Sequence, residues 1–433
     1  MYEQVHSAFL NKLSFNLPSN LKIQVNQPSE RELLQKGRML NFSMQGIRAY
    51  FTRYSEHSER VLGLFTASKD IYGELLGVDL DDTSVLSVLF RNPLGGNARV
   101  AAVEMIGLPK GVVADDNIVD SVELVTALKA MIQQGGIQTL RAAFAMPGSK
   151  VVIRQIKLDS PLNDYDAEVR AWQEARKAFP EIIKSIFLDF VQVEEPGVGK
   201  IKKYSLILVV ARKEDIEPRV EGLQRAGLET KVVDVDYYAY ERAYQLITPQ
   251  LTPDHTEKYV AMVDFNPHRL LFVVMHKKKA IYFGRQTFAG DLLVPLVKKV
   301  MGLETIAAPS PTPRSSGLPT LESVQAEQSK QAELTIPEEQ KSHAVMTIRR
   351  LFQSFYVEHP GRVIEQVVLT GRCALLSEFT QYIEKTLDIP TIIGNPFTAL
   401  KMTDHAAAEN LMKSAPAFML SCGLAMRGVP LWI

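Results

Sequence analysis

Short apolar runs separated by turn residues begin at residue 75 and continue almost to the end of the chain. Residues 76–80 and 85–90 are apolar runs of strand length, joined by the acidic turn Asp81-Asp82. The segment Asn92-Pro93-Leu94-Gly95-Gly96-Asn97 has turn chemistry and leads to a third run at 98–105. This pattern predicts a β-meander. Ile118, Val122, Val125, Leu128 and Ile132 then recur at helical spacing, which predicts a helix over 116–134 stopped by Gly135-Gly136. A strand at 140–145 closes this first half, 75–145.

Residues 146–236 read as an inserted α+β block: strand 151–158, helix 166–179, strands 191–195 and 201–211, helix 216–226 and strand 230–236. The opening pattern then returns over 237–433. Residues 259–264 form an apolar run ending in Asp264, as residues 76–80 carry Asp79. A hairpin follows (270–275 and 280–283), then a helix near 291–301. The recurrence predicts an internal duplication of a strand–turn–hairpin–helix unit. Further on come a helix over 338–358, a strand ending in Thr370-Gly371, a helix over 376–387 and an apolar helix over 415–426. Residues 1–74 are polar with only weak helical periodicity, and are expected to be a poorly ordered, partly helical extension. Residues 304–336 are rich in Pro, Ser, Gln and Glu, and are expected to be a disordered loop.

Composition narrows the function classes. The chain has 433 residues, enough for two or three domains at about 150 residues each. Its 49 basic side chains balance 49 acidic ones, which argues against a sequence-independent nucleic-acid binder. Cys373 and Cys422 lie in no CxxC or metal spacing and read as packing residues. No run approaches the roughly 18 apolar residues of a membrane span, and Met1-Tyr2-Glu3-Gln4 does not open a signal peptide. A cytoplasmic protein, brought to a membrane only by a partner, is the expectation. Lys277-Lys278-Lys279 reads as a solvated hairpin tip, and Ser149 lacks the GxSxG elbow of a nucleophilic serine.

A strand ending in Asp (Asp79, Asp264), a tight turn and a hairpin, used twice and followed by a strand ending in Thr-Gly, resembles the actin-like (ribonuclease H-like) duplicated α/β fold. Longer fragments narrow the likeness: Gly77-Val78-Asp79-Leu80-Asp81-Asp82-Thr83-Ser84, Ala145-Met146-Pro147-Gly148-Ser149, Val263-Asp264, Phe288-Ala289-Gly290-Asp291, Thr370-Gly371 and Gly394-Asn395-Pro396. In their order and spacing, residues 75–430 resemble the PilM family of type IV pilus assembly proteins, relatives of the cell-division protein FtsA. The resemblance implies an actin-like fold with an inserted subdomain. It implies Mg-ATP between the halves, with Asp79, Asp81, Thr83, Ser84, Asp264 and Gly371 as the cofactor-binding positions and Asp79 and Asp264 toward Mg²⁺. It also implies a groove for the N-terminal tail of a PilN-like inner-membrane protein, and through it PilO and PilP; self-association is a further expectation.

The chain departs from that family pattern at the chemistry. Glycine positions of the two phosphate turns and of the adenosine turn are Asp81, Asn266 and Arg372. Two like charges at about 4 Å repel by about 4 kcal/mol at an effective dielectric near 20, so Asp81 and Asp82 oppose a triphosphate. Pro267 removes a backbone donor. Asn266 is still compatible with a left-handed turn, and Arg372 is expected to add bulk near the base, with stacking on the base or pairing with an acidic neighbour as the alternatives. The leading expectation is a non-catalytic scaffold with nucleotide binding weak or lost. The alternatives are an active ATPase like FtsA, with Asp81 or Asp82 assisting Mg²⁺ and Thr83 and Ser84 donating to phosphate, and, more remotely, a sugar-kinase relative.

Overall fold

The computed structural model describes residues 74–91, 99–195, 203–303, 336–402 and 412–428. The expected extension over 1–73, the turn at 92–97 and the loop over 304–335 lie outside the described residues. Antiparallel strands β1 (Leu76–Leu80), β2 (Ser84–Arg91) and β3 (Arg99–Gly107) form the meander. A two-stranded hairpin follows, β4 (Val113–Ala114) and β5 (Asn117–Ile118), turning on Asp115 and Asp116 with φ of 48° and 60°. This hairpin takes residues 116–118 out of the expected helix. Helix α1 (Ser121–Gln134) starts later because Asp120 caps it, its side chain accepting from the amides of Val122 and Glu123. Strand β6 (Arg141–Met146) then pairs parallel with β1.

Strand β7 (Val151–Leu158), helix α2 (Asp164–Ala178), β8 (Ile186–Glu195) and β9 (Lys203–Arg212) make a three-stranded sheet in the order β7-β9-β8, with α2 packed on one face through Ala167, Ala171 and Ala175. Strand β8 starts five residues before the expected 191, because Ile186, Leu188 and Phe190 alternate into this small core. Helix α3 (Lys213–Arg225) leads to β10 (Glu229–Val235), which pairs parallel with β6. The last strand of segment 146–236 therefore belongs to the first large sheet, not to the inserted block. Its residues Val232, Val233 and Val235 are fully buried there, as a parallel strand covered on both faces requires. That sheet has the order β10-β6-β1-β2-β3-β16.

Helix α4 (Asp236–Ile247) crosses to the second half. There β11 (Tyr259–Asn266), β12 (Arg269–His276) and β13 (Lys279–Thr287) repeat the meander. After α5 (Leu293–Val300) and α6 (Glu338–Glu358), β14 (Ile364–Thr370) pairs parallel with β11 just as β6 pairs with β1. Helix α7 (Ser377–Leu387) and β15 (Thr391–Ile393) complete the order β13-β12-β11-β14-β15. Strand β16 (Lys401–Met402) returns to the edge of the first sheet, and α8 (Met419–Ala425) packs on β1 and α4. The duplication is thus present in the hydrogen-bonding pattern, and the fold is actin-like. Two glycines make the last packing feasible. A Cβ on Gly77 would sit 2.1 Å from the Ser421 carbonyl oxygen, and one on Gly423 would sit 1.9 Å from that of Ala239. Two apolar clusters join the halves: Leu86, Val88 and Phe90 with Val263, Phe265 and Phe418, and Leu75 and Ala143 with Tyr240, Met262 and Leu424. No helix among the described residues is long and apolar enough to cross a membrane.

Candidate functional site: the cleft between the repeated turns

The turns after β1 and β11 face one another across the two halves, and every sequence-expected site residue lies in them or beside them. Asp79 sits inside β1 rather than at its end, buried, with Leu80 continuing the strand. Asp81 folds the first turn around its own carboxylate. Its Oδ1 accepts from the Thr83 amide (2.8 Å), the Ser84 amide (3.0 Å) and the Thr83 hydroxyl (2.7 Å). This is an Asx-type turn, in which a side chain supplies the acceptor that backbone donors need. Both turn amides and the Thr83 hydroxyl, expected to donate to a phosphate, donate here to Asp81.

The second turn reaches the same end differently. β11 runs through Asp264 to Asn266, and Asn266 is not among the described residues with positive φ, so it does not take the expected left-handed turn. Its side chain works instead. Nδ2 donates to Asp264, and Oδ1 accepts from the Arg372 backbone amide at 3.0 Å. The Thr370 hydroxyl lies 3.3 Å from Asp264 Oδ1, which fixes the far side of that carboxylate. Gly371 has φ 86° and ψ 178°, a region open essentially to glycine alone. A Cβ there would meet the Phe265 carbonyl oxygen at 2.5 Å. Glycine at 371 is what lets the chain pass this close to β11 and deliver the next residue into the cleft.

That residue is Arg372, whose side chain is only 1% exposed. Its Nε donates to the Ser84 hydroxyl at 2.8 Å, Nη2 donates to Asp79 Oδ2 at 3.2 Å, and Nη1 donates to Asn266 Oδ1 at 3.2 Å. Nη1 also lies 2.7 Å from Asp81 Oδ2. Each nitrogen of the guanidinium thus donates a hydrogen bond, and Asp81 Oδ2 adds an ion contact without hydrogen-bond geometry. Of the roles expected for Arg372, pairing with an acidic neighbour is the one seen. Burial pushes the Asp79 carboxyl up to about 6, against the pull of Arg372 and Arg269. Burial lowers Arg372, but the Asp81 and Asp79 carboxylates more than offset this and hold it above the ordinary arginine range.

A second ring of charge surrounds this pair, and sequence reading passed over most of it. His268 Nδ1 contacts Asp82, and Arg285 donates to Asp116 and approaches Asp236 at 3.6 Å. Arg269 lies 3.8 Å from Asp264, and Arg219 donates to the Asp215 and Asp116 carbonyl oxygens. Asp236 Oδ1 accepts from the Gly148 amide at 3.0 Å and from the Tyr237 amide at 2.8 Å, tying the Met146-Pro147-Gly148 turn to the start of α4. Burial raises the carboxyls of Asp82 and Asp236. The available signal was a charge bordering an apolar run: Asp236 after Val232–Val235, and Arg269 before the run 270–275.

Magnesium–nucleotide would need free carboxylate oxygens at Asp79 and Asp264 and free amides in the turns. Here Asp79 and Asp81 face a guanidinium, Asp264 is engaged by Asn266 and Thr370, and the amides of Thr83 and Ser84 are taken by Asp81. Among the described residues no three His, Cys, Asp or Glu side chains converge in a way that could hold a metal ion. The arrangement does not fit the group.

Comparison with known proteins agrees with the geometry at the level of fold. The chain is similar to the PilM of a PilM–PilN type IV pilus biogenesis complex, with a TM-score of 0.60 and 19% identity, over 82% of this chain and 98% of that one. It is more distantly similar to the ethanolamine utilization protein EutJ from Carboxydothermus hydrogenoformans, with a TM-score of 0.42 and 13% identity, over 91% and 98% of the two chains. The family model of the type IV pilus assembly protein PilM matches residues 77–429, and the chain belongs to that family.

Proposed function

We propose that this protein is a non-catalytic scaffold of type IV pilus assembly that binds the N-terminal tail of a PilN-like inner-membrane protein and does so without nucleotide. The pilus role follows from family membership. The observation that carries the scaffold reading is Arg372, which pairs with Asp79, one of the two carboxylates expected to face a nucleotide's metal, and with Asp81 beside it. A tail captured this way would hold the protein at the cytoplasmic face of the membrane and link it indirectly to PilO-like and PilP-like proteins. The ATPase reading requires Asp79 and Asp264 to be released from their present partners.

The test is calorimetric titration of the full chain, first with Mg-ATP and then with a synthetic peptide copied from the N-terminus of the cognate PilN-like protein. Saturable peptide binding with no heat from millimolar Mg-ATP is the expected result. Tight Mg-ATP binding would overturn the nucleotide-free reading, and absence of peptide binding would overturn the tail-binding one.

A further inference from the structure

The buried and half-buried charge pairs across the cleft share one polarity; the exposed pair Lys110–Asp291, at 3.7 Å, runs the other way. The first half presents carboxylates, and the second half presents the basic side chains that meet them: Arg372 against Asp79 and Asp81, His268 against Asp82, and Arg285 against Asp116. Two of these groups hold ligand-like positions. Asp81 Oδ1 receives two consecutive turn amides and a hydroxyl, the donor set that a phosphate oxygen takes from such a turn. The Arg372 guanidinium lies between Asp79 and Asp81, buried, where a cation would neutralise them. Its backbone amide is held by Asn266 of the opposite turn, so one residue touches both repeated units.

We propose that Asp81 and Arg372 are built-in substitutes for a phosphate oxygen and its counter-cation, so that the chain itself holds this cleft closed without a ligand. This deepens the scaffold reading at the same cleft and rests on it only for the exclusion of nucleotide; it is independent of which peptide binds. The apolar clusters through Phe265, Phe418 and Tyr240 also join the halves. The charge pairs decide whether the cleft between the two turns stays shut.

The experiment places donor and acceptor dyes on Lys129→Cys in α1 and Lys385→Cys in α7, both exposed and in different halves. The two native cysteines are buried and will not compete for label. Energy transfer and thermal unfolding are read in the full chain with and without millimolar Mg-ATP. The unmodified cleft is expected to give one narrow distance distribution and one melting temperature, both unchanged by Mg-ATP. Arg372→Ala is expected to broaden and lengthen the distance and to lower the melting temperature by about 5 °C, because two buried carboxylates lose their counter-charge. Arg372→Lys keeps the charge but loses the fork, and should fall between the two, which preserves the test should the alanine variant not fold. A distance unchanged in both variants would overturn the proposal, as would a wild-type cleft that closes further on adding Mg-ATP. Peptide titration on the same samples separates the two readings: loss of tail binding with the distances as expected sinks only the scaffold's partner.

Discussion

The turns after β1 and β11 are copies of one unit, yet they satisfy their polar groups by opposite routes. The first is self-contained. Asp81 turns its carboxylate back onto amides two and three residues ahead, so the backbone donors of this turn find their acceptor locally. The second depends on distant chain. Asn266 accepts from a backbone amide that is 106 positions away, and Gly371 passes so close to Phe265 that only glycine fits. In both cases an acidic or amide side chain has replaced the glycine of the family pattern and consumed the donors that the pattern leaves free. A duplicated site can thus engage its turn donors twice by the same chemistry while keeping both sheets intact. The difference between the copies also says where damage starts: losing the amide bonds of the first turn begins in β1–β2, whereas losing Asn266 unseats the Arg372 backbone and begins in the second half.

The largest expected effect is Gly371→Ala. The backbone must leave φ 86° or push aside the Phe265 carbonyl, at a cost of about 3–5 kcal/mol, seen as a large drop in the denaturation midpoint. A loss under about 1 kcal/mol would show that the two segments separate easily and that the second turn is not the fixed one. Next is Asp81→Ala. Two turn amides lose their acceptor and Arg372 keeps only Asp79, a combined loss of about 2–4 kcal/mol. Asp81→Asn should recover part of this, since an amide oxygen can still accept from the turn; equal losses in the two variants would mean that the turn bonds matter less than the charge.

Asn266→Ala is a smaller lesion, about 1–3 kcal/mol, because one buried acceptor for Arg372 disappears while its carboxylate pairs remain. By the local-versus-distant contrast, hydrogen exchange should quicken in both β1–β2 and β11–β14 for this variant, but mainly in β1–β2 for Asp81→Ala. Matching exchange patterns would erase the contrast. The smallest effect is a pH dependence. Asp79, facing Arg372, Arg269, Asp81 and Asp264, has its carboxyl raised by burial to about 6. A carboxyl raised above its unfolded value binds its proton more tightly in the fold, so its contribution to stability is lost as pH rises through the window between about 4 and 6. The neutral variant Asp79→Asn lacks this loss. Its stability relative to wild type should therefore rise from pH 4 to pH 7, and a fall over that range would show that the Arg372 pair outweighs burial.

Much of this protein is legible in its sequence because the signals are local. The repeated apolar run with Asp79 and Asp264, the glycine stop after α1 and the bounds of α6 all follow from spacing within a few residues, and such spacing is set by backbone geometry alone. The altered glycine positions at 81, 266 and 372 are equally visible as residues. What each does in place of a glycine is not visible. The helical spacing of its neighbours places Asp116 in a helix, but a short hairpin with left-handed Asp115 and Asp116 takes precedence. Residues 229–235 were read into the inserted block because they follow its helix, but their buried valines find a parallel partner only in β6.

The sequence by itself determined the duplicated α/β plan and the presence of foreign side chains at three turn positions. The tertiary structure alone decided that Arg372 would end between Asp79 and Asp81, nearly three hundred residues back in the chain. Local periodicity reports only which face of an element is apolar. The partner of a buried charge is fixed by the packing of two sheets against each other, and a guanidinium sealed at 1% exposure must find its carboxylates wherever that packing brings them.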